Sequence, residues 1–316
     1  MLLFVDDIFL AHETGQHPES PIRLRAIRDH LNQSGILDRV TAGTVRAGTD
    51  SELLRAHSAD HIKHIEQAAR HGTVRLDPDT VCCPRSAEVA RFAAGTACAA
   101  TEAVTSERSQ HSLALLRPPG HHALRDRPMG FCLYNNIAIA ARHAQQQGAQ
   151  RILIIDWDVH HGNGTEAIFY DDPDVHYLSI HRFPFYPGTG RREDTGTGPG
   201  LGTTYNIPIA FGTSRPDYFA AFQSVLDTAA DRARPELILI SAGFDAHRLD
   251  PIGSLGLESE DFSQLTNMVQ DAANVHCRGR FVSLLEGGYH PASLADSVQL
   301  HLEAILAAES AADVSP

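Results

Sequence analysis

The sequence predicts a single-domain α/β protein with an open, mainly parallel sheet and helices on both faces. Six short apolar segments have the length and composition of buried strands, and longer helical segments alternate with them. Such alternation is typical of a parallel sheet whose connecting helices cover both faces. No repeat and no linker divides the 316 residues, so we expect one domain over residues 1–316.

The predicted elements follow one another in regular order. The predicted strands are residues 2–5, 112–116, 151–156, 175–180, 237–241 and 281–286. The predicted helices are residues 21–33, 86–105, 135–147, 217–234, 259–276 and 292–308. Pro21 suits a first helical position, and Ser86 suits the N-cap of an alanine-rich helix. Residues 309–316 are expected to form a frayed tail.

Composition and charge exclude several classes of function. The apolar runs are too short for a transmembrane helix, and the amino terminus lacks the segments of a signal peptide. Five cysteines form an odd number without framework spacing, which favours a reducing environment and predicts a cytoplasmic protein. The net charge of −13 argues against nucleic acid or an anionic membrane as partner and mildly favours a cationic substrate.

The most informative segment is ILIIDWDVHHGNG at residues 152–164. A buried strand ends there in carboxylates and imidazoles, at the end of a parallel strand where α/β sheets carry their sites. Asp158 and His160 are two residues apart, so on an extended chain both side chains point to the same side. A carboxylate and an imidazole that converge in this way can bind a transition metal, with zinc as the leading choice.

Polar residues also follow three other predicted strands. These segments are RPPGHHA at 117–123, AGFDAH at 242–247 and EGGY at 286–289. The carboxyl ends of parallel strands share one rim of a sheet, so we expect the four segments to form a common site. Asp245 is then the natural third metal ligand. Two carboxylates and one imidazole neutralise a divalent cation and leave positions open for water and substrate.

The adjacent histidines of the second segment are candidates for acid–base chemistry. His121 and His122 follow two prolines and a glycine, in a stiff turn that can fix both imidazoles. Histidine titrates near neutral pH, so either residue can serve as a base, although an isolated pair is also common in polar loops. Each imidazole needs a partner that fixes its tautomer, and Asp156 and Asn163 are the candidates.

Aromatic residues in glycine-containing loops complete the predicted site. Tyr289 follows Gly287 and Gly288, whose small size lets the chain pass close to the metal. A phenol in this place can donate a hydrogen bond to an oxyanion. Phe131 and Tyr186 can form the walls of an apolar slot, or they can simply anchor their loops.

The motifs together resemble a known family. RPPGHHA, GFCLYNN, DWDVHHGNG, PFYPGTG, SAGFDAH and EGGY, in this order, are similar to the zinc-dependent histone deacetylase family and its bacterial deacetylase-like amidohydrolases, a superfamily that includes acetylpolyamine amidohydrolases. The resemblance extends from about His17 to the last helix. It implies the arginase–deacetylase type of fold, with long loops around a substrate tunnel.

The resemblance also implies residue roles and cofactors. It implies one zinc ion per chain, bound by Asp158, His160 and Asp245. The implied catalytic residues are the general base and acid His122, its partner Asn163, the companion histidine His121 with its partner Asp156, and the oxyanion donor Tyr289. The implied substrate-binding residues are Gly130, Phe131, Tyr186, Ile252, Gly287 and Gly288. A structural potassium ion is implied at Asp156, Asp158, His160, Ser179 and Ile180.

The expected reaction is the removal of acetyl or other acyl groups from lysine side chains of proteins or peptides. The alternative is hydrolysis of acetylpolyamines or other small N-acyl amides. Polyamine-selective relatives of the eukaryotic type have a glutamate where this chain has Ile252, which lowers the weight of that alternative. A binding protein without hydrolysis and a dinuclear manganese ureohydrolase are further alternatives, and the latter needs more carboxylate ligands than these motifs display. A homo-oligomer stays open.

Overall fold

A computed structural model of the chain describes residues 1–312, and it describes side chains through residue 307. Eight strands form one sheet, in the order β2-β1-β5-β10-β9-β6-β7-β8, and every neighbouring pair is parallel. The strands are β1 Leu2–Phe4, β2 Thr41–Ala42, β5 His111–Ala114, β6 Ile152–Asp156, β7 Val175–Arg182, β8 Thr204–Ile209, β9 Leu237–Ala242 and β10 Phe281–Leu285. A separate antiparallel pair consists of β3 Val74–Arg75 and β4 Val81–Cys82.

The six predicted strands are all present in the large sheet, and their ends differ from the prediction by at most two residues. Within the large sheet, the two strands that the sequence pattern missed, β2 and β8, lie at the edges, and the short pair β3 and β4 was missed as well. β2 has only two residues, both exposed, and therefore carries no hydrophobic pattern. β8 contains Pro208, which a strand tolerates at an edge because the missing N–H is not needed there.

The helices are α1 Ile22–Ser34, α2 Asp50–Leu53, α3 Ala59–Arg70, α4 Ser86–Thr105, α5 Asn136–Gln146, α6 Asn163–Phe169, α7 Arg215–Ala233, α8 Ser259–Cys277 and α9 Pro291–Ala312. They pack in two groups. In one group α4 lies against α5, and in the other α1 packs on α9, α9 on α8, and α8 on α7. The prediction missed α2, α3 and α6. α3 is rich in histidine and charged residues and begins at a local signal, the Ser58 side chain that accepts from the His61 N–H at 3.2 Å.

The order of the strands decides where the predicted site forms. β5, β10, β9 and β6 are consecutive neighbours at the centre of the sheet. These are the four strands that precede the polar segments described above. Because all four run parallel, their carboxyl ends meet at one rim. Register supports this, since Asp156 at the end of β6 pairs with Ser241 near the end of β9.

The carboxyl-terminal helix is longer than predicted. α9 continues to Ala312, so the first four residues of the predicted tail are helical, and residues 313–316 lie outside the described residues. Within residues 1–312, none of the helices has the length and hydrophobicity that a membrane-spanning segment requires.

Candidate metal centre and catalytic site

Three buried side chains converge at the rim of the central strands. His160 Nδ1 lies 3.0 Å from Asp158 Oδ1 and 3.1 Å from Asp245 Oδ2. Asp158 and His160 follow the end of β6, and Asp245 follows the end of β9, the strand beside it. All three side chains are buried, and one possible ligand atom of each lies within 4.8 Å of the others. The structure therefore brings together the three ligands that the sequence predicts.

Charge and hydrogen bonding at this cluster fit a divalent cation. Burial raises the pKa of Asp245 to about 7, and the neighbouring charge of Asp158 adds to this rise. Burial lowers the pKa of His160, but its hydrogen bonds with the two carboxylates outweigh burial and raise it to about 10. Two buried carboxylates thus require a positive charge between them. A metal ion in place of the His160 proton would supply this positive charge. Two carboxylates and one imidazole are also a typical set of zinc ligands.

The remaining carboxylate oxygens are held by backbone N–H groups. The Gly287 N–H donates to Asp158 Oδ2 at 2.8 Å, and the Val159 N–H donates to Asp245 Oδ1 at 2.8 Å. A Cβ atom on Gly287 would collide with both carboxylates, so a glycine is required at this close approach. These bonds fix the orientation of the donor atoms before any ion binds, as second-sphere contacts do in metal sites.

The two adjacent histidines lie beside the metal cluster and have different environments. His121 Nδ1 lies 2.9 Å from Asp156 Oδ2, and this oxygen also accepts from the Tyr177 hydroxyl at 3.1 Å. Burial alone would lower the pKa of His121, but the charges of Asp156 and Asp158 outweigh burial and raise the pKa to about 10. The carboxylates around His121 therefore favour its charged form.

His122 lies next to His121, with ring centroids 4.0 Å apart, but it is paired with a neutral group. Its Nδ1 lies 2.8 Å from Asn163 Oδ1. Burial lowers the pKa of His122 well below its ordinary value, and the nearby His121 and His160 lower it further. A neutral imidazole that donates from Nδ1 has a free Nε2 lone pair. This is the form that can accept a proton from water.

Glu286, which the sequence reading did not single out, holds the turn that carries the histidines. Its Oε2 accepts from the backbone N–H groups of Gly120, at 2.7 Å, and of His121, at 3.2 Å. Burial raises the pKa of this carboxyl to about 7, although His121 opposes the rise. Glu286 opens the EGGY segment at the end of β10, so its place after a strand was the available signal.

Tyr289 is fixed on three sides. Its N–H donates to Asp250 Oδ2 at 2.6 Å, the Arg23 guanidinium lies 4.9 Å from its ring centroid, and Phe131 meets the ring edge to face at 5.7 Å. Asp250 Oδ1 also accepts from the N–H groups of Ile252 and Gly253, so one carboxylate joins the two loops. Burial raises the pKa of the Tyr289 phenol well above its ordinary value and keeps it a hydrogen-bond donor.

A pocket of about 230 Å³ opens onto this cluster. It is lined by Asp79, His122, Gly130, Phe131, His160, Phe185, Tyr186, Ile252 and Tyr289. The Tyr186 ring meets the His122 ring edge to face at 5.3 Å, and the Phe185 ring stacks on His160 at 5.2 Å. The pocket is small and mainly apolar. It fits a slender aliphatic chain that ends in a polar group next to the histidines and the metal ligands.

Four of the six predicted substrate-binding residues line the pocket, and two do not. The structure brings Gly130, Phe131, Tyr186 and Ile252 into the pocket, but Gly287 and Gly288 do not line it. Gly287 binds Asp158, as described, and the Gly288 carbonyl accepts from Arg23 Nε at 2.6 Å. Both glycines therefore support the site from outside the pocket.

Two lining residues, Phe185 and Asp79, were not predicted. Phe185 stood one residue before a predicted wall residue. Asp79 lies in a DPDT turn that carried no chemical signal in the sequence. Burial raises the pKa of Asp79 to about 6, and the hydrogen bond and charge of Asp77 contribute.

The residues of the predicted potassium site are also neighbours. Asp156 pairs with Ser179 in the register of β6 and β7, and Ser179 Oγ lies 2.9 Å from His181 Nδ1. Ile180 is buried. The ion itself stays a prediction.

A second group of possible metal ligands fits a cation poorly. Glu52, Cys98 and His143 are buried together, but Arg46 binds both oxygens of Glu52, at 2.6 and 2.9 Å. Arg55 Nη1 also lies 3.1 Å from His143 Nδ1. Arg46 therefore already supplies the positive charge that the Glu52 carboxylate needs, and Arg55 occupies one ring nitrogen of His143, which leaves the cluster at the rim as the better metal site among the described residues.

Comparison with known proteins gives consistent results. A family model described as the histone deacetylase domain matches residues 17–305. The histone deacetylase-like amidohydrolase of Pseudomonas aeruginosa is 40% identical over 280 residues, which cover 87% of this chain and 73% of that protein. The polyamine deacetylase HDAC10 of Homo sapiens is 40% identical over 91% of this chain and 44% of its own length. The crystal structure of the HDA15 HD domain superimposes with a TM-score of 0.92 at 38% identity, over 97% of this chain and 88% of that one.

Proposed function

This chain belongs to the histone deacetylase family, and from this premise we propose that it hydrolyses the side-chain amide of acyl-lysine residues in proteins or peptides. The family and the named deacetylases among its relatives make it a hydrolytic deacetylase. One observation carries the finer proposal. A small, mainly apolar pocket is lined by His122, by Tyr289 and by His160, one of the three candidate metal ligands.

Asp158, His160 and Asp245 would bind one zinc ion per chain. When bound, a zinc ion polarises a carbonyl group and lowers the pKa of water, which supplies the electrophile and the nucleophile of amide hydrolysis. The cluster offers three protein ligands, as catalytic zinc sites do, so that positions for water and substrate are free. Potassium would act only as a structural ion beside Asp156 and Ser179.

The two histidines have different roles because their hydrogen-bond partners differ. His122, neutral and paired with Asn163, accepts the proton of the attacking water at Nε2 and later gives it to the departing amine. His121, paired with Asp156, keeps its positive charge and stabilises the negative charge that develops nearby. The Tyr289 hydroxyl donates a hydrogen bond to the oxyanion formed from the carbonyl.

The pocket favours acyl-lysine over a polyamine. Lysine and putrescine both present an unbranched aliphatic stem that suits walls made by Phe131, Tyr186 and Ile252, so the preference depends on charge at the pocket. Ile252 is neutral, so at this position there is no charge that would attract a distal ammonium group. Asp79 is the observation that favours the second candidate, an acetylpolyamine, because its carboxyl lies at the same pocket.

The test is hydrolysis of matched substrates by the zinc-loaded protein. We would compare an acetyl-lysine peptide, longer acyl-lysine peptides, acetylputrescine and acetylspermidine. His122→Ala should abolish turnover, whereas His64→Ala, at an exposed histidine on α3, should not change it. Higher kcat/KM for the peptides supports the proposal. A preference for free polyamines would transfer the assignment to the second candidate, and no turnover of any substrate would refute both.

We also propose a cytoplasmic location. All five cysteines, Cys82, Cys83, Cys98, Cys132 and Cys277, are free and buried. Unpaired thiols in this number suit a reducing compartment. Fractionation of the native cells with antibodies against the chain tests this, and recovery from an extracytoplasmic fraction would refute it.

A further inference from the structure

Asn163 differs chemically from the partner of the other histidine. Asp156 presents two equivalent oxygens, so any orientation of its carboxylate offers an acceptor to His121. Asn163 presents one oxygen and one NH₂ group, and only the oxygen can accept from the N–H of His122. If the carboxamide turned by half a rotation, its NH₂ group would face His122 Nδ1. The imidazole would then carry its proton on Nε2, the nitrogen that must accept a proton.

One contact in the structure distinguishes the two ends of this carboxamide. Asn163 Nδ2 donates to the thioether sulfur of Met129 at 3.3 Å. A thioether has no hydrogen to donate, so it accepts from the NH₂ group but gives nothing to the carbonyl oxygen. Among the described residues, the Met129 sulfur is the only hydrogen-bond acceptor of Asn163 Nδ2. Its presence therefore favours the orientation in which Oδ1 faces His122.

The Met129 sulfur is held in place by the turn to which it belongs. The Met129 and Cys132 backbones form a bridge in which each N–H donates to the other carbonyl, at 3.2 and 2.9 Å. Gly130, in the same turn, has φ 57° and packs so closely on His122 that a Cβ atom there would collide with the imidazole ring. One turn thus contacts both members of the pair, the ring through Gly130 and the carboxamide through Met129.

We propose that Met129 is a positioning residue, which fixes the orientation of the Asn163 carboxamide and thereby the tautomer of His122. This rests on the proposed role of His122 as the base. Met129 takes no part in the reaction itself. Its effect is to keep Nδ1 protonated and Nε2 free until Nε2 accepts a proton from the attacking water.

The test is a double-mutant cycle with Met129→Leu, which removes the acceptor, and Asn163→Asp, which removes the need for it. In the native background, Met129→Leu should lower kcat about two- to tenfold, the effect of one modest hydrogen bond, with KM changed less than about twofold. Met129→Gln, whose carbonyl can accept, should recover most of the loss. In the Asn163→Asp background, Met129→Leu should change kcat by less than about twofold, because a carboxylate has no wrong orientation.

Alternative outcomes are distinguishable. An equal loss in both backgrounds would mean that Met129 acts through packing, and an unchanged kcat in the native background would mean that the contact has no effect. Either result overturns the inference, while turnover by the native protein keeps the proposed function intact.

A second measurement reads the tautomer without turnover. Nitrogen-15 NMR of the histidine-labelled protein, with the His122 signals assigned by His122→Ala, should show a protonated Nδ1 that loses occupancy in Met129→Leu. An unaltered tautomer in that variant would overturn the inference even if Asn163→Asp has no measurable activity.

Discussion

Arg117 and Glu19, 98 residues apart in the chain, form an ion pair in which neither side chain is exposed to solvent. Arg117 Nη2 donates to Glu19 Oε2 at 2.7 Å, and Arg23 on α1 approaches the other oxygen at 3.3 Å. Arg23 also donates to the Gly288 carbonyl and contacts the Tyr289 ring. The amino-terminal segment is thus joined by buried charges to the loop that carries Tyr289.

This pair predicts how stability depends on pH. Burial raises the pKa of Glu19, but the charge and hydrogen bonds of Arg117 outweigh it and lower the pKa to about 2. A carboxyl whose pKa is lower in the folded than in the unfolded state stabilises the fold above about pH 4.5. This contribution, about 3 kcal/mol, should disappear as the pH falls from about 4.5 towards 2.

Glu19→Gln should accordingly lower the free energy of unfolding by about 3 kcal/mol at pH 7, and its difference from the native protein should shrink below about pH 4.5. Denaturant unfolding between pH 7 and pH 3 measures both. Glu193→Gln, at an exposed position, is the control and should change stability little. A difference that stays constant with pH would contradict the assignment of the effect to the Glu19 charge.

Tyr289→Phe should lower kcat by about 10²- to 10³-fold, the usual cost of one oxyanion donor, with a much smaller change in KM. Only the hydroxyl is removed, so the ring contacts with Phe131 and Arg23 are kept. Steady-state kinetics on a good substrate measures this, with Tyr170→Phe as the matched control. Near-native turnover would show that the phenol is not the oxyanion donor.

Removal of metal should abolish activity and lower the melting temperature, because the buried Asp158 and Asp245 then lose their counter-ion. One equivalent of zinc per chain should restore both properties. Asp245→Asn should lose metal, measured by elemental analysis, whereas Asp227→Asn at an exposed position of α7 should retain it. Two manganese ions per chain would instead indicate a dinuclear site.

Ile252→Glu should shift selectivity towards acetylpolyamines. A carboxylate at this lining position would attract the distal ammonium of acetylspermidine, and we expect the ratio of kcat/KM for polyamine over peptide to rise about tenfold. Ile252→Gln introduces a side chain of the same shape as glutamate but without its charge, and it should leave the ratio of kcat/KM values near that of the native protein. An equal shift in both variants would attribute the effect to lost apolar contact.

Most of the elements that carry a local sequence pattern could be predicted from the sequence. Six strands of the large sheet and six helices were predictable because each carries its own hydrophobic period or cap. The edge strand β8 was not, since Pro208 interrupts its pattern and its pairing depends on β7, which lies outside any local window. Helix α3 was missed although it carries local signals, the Ser58 cap and an amphipathic spacing that buries Ile62 and Ile65.

The same division applies to the site. The candidate metal ligands and both histidines could be predicted from the sequence alone, because each follows a strand whose direction the α/β pattern fixes. Only the tertiary structure decided that Glu286 holds the histidine turn, that Asp79 lines the pocket and that Gly287 and Gly288 do not. It alone brought the Met129 sulfur to Asn163. Such contacts join residues far apart in the chain, and their geometry comes from packing, which no local pattern of side chains encodes.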